Sequence, residues 1–65
     1  MFEYAFIVSD PHENIVHVAL SRCLNDSDAI CKGWSFMDEL EFDLPDYDVL
    51  VYSLNDQRIV CSLVY

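Results

Sequence analysis

Sixty-five residues hold twelve Asp plus Glu against three Lys plus Arg, a formal net charge of −9 at pH 7. That length admits one small domain, residues 1–65, burying only about 60% of the surface its unfolded chain exposes, with little room for a catalytic pocket beside a core. With 54% hydrophobic residues and a single Gly, the chain is not a disordered acidic tail, and Arg22, Lys32 and Arg58 are too few and too scattered to grip nucleic acid or an anionic membrane.

Glu3-Tyr4-Ala5-Phe6-Ile7-Val8 is aromatic and aliphatic in the manner of a strand. Ser9-Asp10-Pro11-His12-Glu13-Asn14 gathers turn formers, with Pro11 suited to the second turn position and Asn14 to a left-handed one. Ile15-Val16-His17-Val18-Ala19-Leu20-Ser21 predicts the returning strand of an antiparallel hairpin. Asn25-Asp26-Ser27-Asp28 then offers several helix N-caps. Ile30, Gly33, Trp34, Met37 and Leu40 follow at three- and four-residue steps, which predicts a helix over residues 27–40 with those side chains buried. Gly33 inside that stripe implies close approach to a sheet. Asp38 and Glu39 sit in the last turn, where the helix dipole opposes them. Pro45 ends any helical continuation. A second hairpin follows, Tyr47 to Ser53 and Arg58 to Tyr65, split by Leu54-Asn55-Asp56-Gln57. The expected class is α+β, in the order β-β-α-β-β, with one helix packed on one face of an antiparallel sheet.

Alternation leaves both faces of that sheet apolar: Val49 and Val51 oppose Leu50 and Tyr52, and Tyr4, Phe6 and Val8 oppose Ala5 and Ile7. One helix covers one face, and ordinary monomers avoid exposing the other. The sheet curls around its own core, two copies pack sheet on sheet, or a partner covers the face; self-association to a dimer is the expectation.

Among candidate sites, residues 38–48 are the most informative, since Asp38, Glu39, Glu41, Asp43, Asp46 and Asp48 are all acidic. If residues 39–43 are extended, Glu39, Glu41 and Asp43 share a side and repeat every ~6.6 Å. That approximates the ~7 Å between successive phosphates of a nucleic-acid strand. The plainer alternative is a solvated connector, and the glycine and ligand spacing of a calcium loop are missing. Phe36 lies about 200° around the helix from Trp34, which makes it a candidate exposed anchor for a partner. His12 and His17 have no partner at ligand spacing, so no metal or cofactor is expected. Cys23, Cys31 and Cys61 form neither a disulfide framework nor a Cys-x-x-Cys pair. Cys61 reads as core, with Cys23 and Cys31 exposed or half-buried. Without a signal-like N-terminal region or an apolar run of about 18 residues, a cytoplasmic protein with reduced thiols is expected. No nucleophile elbow or phosphate loop is present, and an enzyme is not expected.

A short, acidic α+β chain with this 38–48 stretch resembles the small phage-encoded inhibitors of host defence, the anti-CRISPR and anti-restriction proteins, some of which imitate nucleic acid. The resemblance rests on size, charge and that stretch. It implies a non-enzymatic inhibitor in the cytoplasm of a bacterial host, whose acidic surface blocks the nucleic-acid groove of a larger basic protein. The contacts expected are Phe36, Asp38, Glu39, Glu41, Asp43, Asp46 and Asp48. The alternative is a small bacterial interaction or oligomerisation module that works through its apolar sheet face, with acidity that only solubilises.

Overall fold

The computed structural model describes residues 1–40 and 47–63. Strands β1 (Phe2–Ser9) and β2 (Ile15–Cys23) precede the helix α1 (Asp26–Leu40), and strands β3 (Asp48–Ser53) and β4 (Arg58–Leu63) follow it. The expected β-β-α-β-β order is therefore present. One antiparallel sheet runs β2-β1-β3-β4, so the first strands of the two hairpins pair at its centre and β2 and β4 form its edges. Val64 and Tyr65, expected in the last strand, lie outside the described residues, as do residues 41–46.

Local chemistry sets each boundary. The Asp10 carboxylate accepts the backbone N–H groups of His12 and Asn14 at 2.9 and 2.8 Å, closing the first turn. Those bonds hold its pKa below the usual carboxylate range, the Asn14 N–H first among them. The left-handed residue there is Glu13, at φ 66°, and not Asn14. Asn14 spends its N–H on Asp10 and its side-chain amide on the same carboxylate, which leaves its neighbour to make the reversal. At the helix start, Asn25 Oδ1 accepts the Asp28 N–H at 2.9 Å, and the Asp28 carboxylate accepts the Leu24 N–H at 2.9 Å. Two N–H groups at the helix entry are thereby satisfied. The second turn, with Gln57 at φ 53°, is tied back to β1: Glu3 N–H donates to Asn55 Oδ1 and Leu54 N–H to the Glu3 carbonyl.

The core lies between the helix and one sheet face. Tyr4, Phe6 and Val8 of β1, Val49 and Val51 of β3 and Leu63 of β4 point to it, and Ala29 and Met37 close it from the helix. Gly33 is what permits this approach. A Cβ there would stand 2.7 Å from Leu63 Cδ1 and 3.2 Å from Val51 Cγ2.

The buried stripe of the helix is rotated from the expected one. It is centred on Gly33, with Ala29 and Met37 about 40° to either side, Phe36 about 60° out on one flank and Trp34 about 100° out on the other. Trp34 is consequently 39% exposed. Phe36 is half-buried, its ring stacked on Phe6 at 5.7 Å and on His17 at 6.2 Å between centroids. Phe36 is thus a packing residue and not the exposed anchor expected of it. Two cysteines also exchange places. Cys23, on the helix side of β2 opposite Phe2, is fully buried, whereas Cys61, on edge strand β4, is half-buried; Cys31 is exposed.

Candidate functional site

Chain direction alone sorts the charges. β1 and α1 run toward one end of the sheet, and β2 and β3 start from it, so the first turn, the helix C-terminus and the start of β3 all lie there. Among the described residues this end carries Asp10 and Glu13 in the turn, Asp38 and Glu39 on the last helical turn, and Asp48 at the start of β3, with no Lys or Arg. The opposite end holds Glu3, Asp26, Asp28 and Asp56, and with them every Lys and Arg of the protein.

Those cations are all engaged. Arg22 stands 3.8 Å from Glu3, and Lys32 stands 3.4 Å from Asp28 while its Nζ donates to the Arg22 carbonyl at 2.9 Å. Arg58 pairs with Asp26 and, at 3.5 Å, with Asp56. The Asp26 carboxylate also accepts the Tyr4 hydroxyl at 2.7 Å. The Arg58 guanidinium and then the Tyr4 hydroxyl hold Asp26 below the usual carboxylate range, and the same bond to Asp26 pushes the Tyr4 phenol up to about 12. A depression of about 330 Å³ opens here between Phe2, Tyr4, Asn25 and Asp26. Asp56 also lines it, and both carboxylates are already committed to fold contacts, Asp26 to Tyr4 and Arg58 and Asp56 to Arg58. No group of three or more His, Cys, Asp or Glu among the described residues could hold a metal ion.

The two ends act as separate electrostatic bodies. Eight residues of β1 span about 26 Å, roughly three times the ~8 Å screening length of physiological salt. The near-neutral paired end therefore does not cancel the field of the acidic end.

Of the expected contact residues, Asp38, Glu39 and Asp48 are exposed at the acidic end. Glu41, Asp43 and Asp46 lie outside the described residues. Glu39 is helical, so the extended phosphate-like repeat does not begin at Glu39; successive residues there advance about 1.5 Å, not the ~3.3 Å of a strand. Asp10 and Glu13 were not among the expected residues. They join the acidic end only because the first hairpin turns beside the helix C-terminus, and their presence in one turn was the single sequence signal. Within that group Asp10 serves its own turn, and Glu13 is exposed.

The other face of the sheet forms a second candidate surface. Register places Val18, Ile7, Leu50 and Ser62 in one cross-strand row, and Leu20, Ala5, Tyr52 and Ile59 in the next. No helix among the described residues crosses a membrane on length and apolarity. No protein-family model, curated protein or solved structure matches the chain.

Proposed function

We propose that the chain is a non-enzymatic protein-binding inhibitor whose acidic end occupies the basic nucleic-acid groove of a larger protein. The observation that supports this reading is the segregation of charge: exposed carboxylates at one end of the sheet, all three cations paired at the other. Acidity that served solubility alone needs no such segregation. Gathered at one end it makes a local field that speeds encounter with Lys- and Arg-rich surfaces and repels nucleic acid itself. Asp38, Glu39 and Asp48 face the partner's cations, and the sequence adds Glu41, Asp43 and Asp46 between them. The mechanism is competition, steric and electrostatic, with the target's own nucleic acid; in a phage-encoded setting it acts in the host cytoplasm.

The test uses the immobilised chain and a bacterial lysate in about 50 mM salt. Retained proteins should be basic nucleic-acid binders, released by competing duplex DNA or structured RNA and by about 200 mM salt, the dependence that a many-contact ionic interface shows. A triple variant, Asp38→Asn with Glu39→Gln and Asp48→Asn, keeps the fold, because exposed substitutions shift stability by about 0.5 kcal/mol or less, and should retain markedly less. Equal retention by that variant at equal salt would defeat the reading and leave the acidity as a solubilising feature.

A further inference from the structure

We propose that the open face of the sheet is a self-association surface, on which two copies of this chain pack sheet against sheet. Val18, Ile7 and Leu50 form one cross-strand row and Leu20, Tyr52 and Ile59 lie in the next, joined by Ala5. Leu20 is 72%, Ile59 59% and Val18 48% exposed, and all three stand on the edge strands. Neither row contains a charged side chain. Glu3 and Arg22, paired with each other, bound the face at one end, and Asp48 bounds it at the other.

The shape and the charge choose the occupant. The two rows extend across all four strands, so the apolar surface is as wide as the sheet itself and not the narrow groove that would seat a helix or a single strand. A flat, twisted sheet face fits another such face, packed at about 10 Å with strands inclined by about 30°. A basic partner gains nothing from an uncharged surface, whereas a second copy supplies a matching apolar one in an isologous, self-complementary pair. Face-to-face packing also turns both helices, with Asp38 and Glu39, outward, so two acidic chains meet without burying a like-charge pair. The area suffices. Four strands and six residues make a face of about 20 by 20 Å, and two such faces with their side-chain relief remove about 1,000–1,200 Å² from water, at the lower bound of about 1,000 Å² for a specific interface.

Sedimentation equilibrium from about 1 to about 500 μM decides the matter, since it brackets micromolar association. The mass should rise from 7.6 kDa to twice that value and stop. It should hold or rise in high salt, which screens the repulsion between the two chains, the opposite of the salt dependence of the acidic end. Leu20→Glu and, separately, Ile59→Glu should each weaken the dimer at least tenfold with unchanged circular dichroism; Val18→Thr with Leu20→Thr, which suits strand backbone, serves if either glutamate variant unfolds. A single-copy mass across the whole range overturns the proposal. So does a dimer indifferent to all these variants, or a mass that climbs past two copies, which would mark pairing through the open strand edges.

Discussion

Gly33→Ala measures how closely the helix approaches the sheet. Two effects of opposite sign compete. Alanine in a helix interior gains about 1 kcal/mol over glycine from propensity alone. The added methyl, however, would stand 2.7 Å from Leu63 Cδ1, 3.2 Å from Val51 Cγ2 and 3.7 Å from Phe6 Cε1, where carbon atoms prefer about 3.5–4.0 Å. The Phe6 contact is ordinary. Leu63 must withdraw its methyl by about 1 Å, which a leucine can do by changing rotamer at some cost in packing. Val51 is stiffer, being β-branched at χ1, and sits on a central strand held on both sides. Overpacking of this kind costs about 1–3 kcal/mol, so the net expectation is a loss of about 1 kcal/mol. In urea, with a slope near 1 kcal/mol per molar for so small a domain, the midpoint should fall by about 1 M. Gly33→Val, larger and a poorer helix former, should lose about 3 kcal/mol or fail to fold. A Gly33→Ala protein stabilised by the full propensity gain would show that helix and sheet do not meet at this distance, and the account of the core would fail with it.

Three further outcomes are expected. Asn25→Ala removes the acceptor of the Asp28 N–H and should cost about 1 kcal/mol in thermal or urea unfolding; a loss below about 0.3 kcal/mol would mean that water caps the helix equally well. On the pH axis, the lowered carboxyls of Asp10, Asp26 and Asp28 contribute stability that is present above about pH 4 and lost as pH falls below it, while Tyr4, neutral in the fold up to about 12, contributes stability that is complete below about pH 10 and lost as pH rises toward 12. Melting temperatures across pH should therefore fall at both extremes, and Tyr4→Phe should remove the Tyr4 share of the alkaline fall; an unchanged alkaline limb would refute the Tyr4–Asp26 bond. Thiol reagents should modify exposed Cys31 first and buried Cys23 only on unfolding, with Cys61, its thiol pushed up by burial, between them. Labelling of Cys23 at the rate of Cys31 would contradict the packing of β2 against the core.

Much of the fold was legible in the chain. Turn formers at Asp10 to Asn14 and Leu54 to Gln57, alternating aliphatic runs, and a cap cluster ahead of a 3.6-residue period determine two hairpins and a helix, because each signal is local and acts within a few residues. Gly33 was legible too, since a glycine inside an apolar stripe has few other reasons to be there. The composition determined a net negative charge.

Tertiary structure decided what depends on residues far apart. The rotation of the helix about its axis is set by the closest contact, Gly33 against Leu63 and Val51, and this buried the Phe36 ring and left Trp34 exposed, although a periodic pattern permits a range of orientations about 40° wide. Cys23 is buried and Cys61 is not because the helix lies across one part of the sheet, which no spacing between cysteines encodes. The segregation of charge is likewise a property of topology. Asp10 and Glu13 are remote in sequence from Asp38, Glu39 and Asp48, and only the direction of β1, α1 and β3 brings them to one end, while the same winding carries Arg22, Lys32 and Arg58 to the other, where their attraction for Glu3, Asp28 and Asp26 holds them.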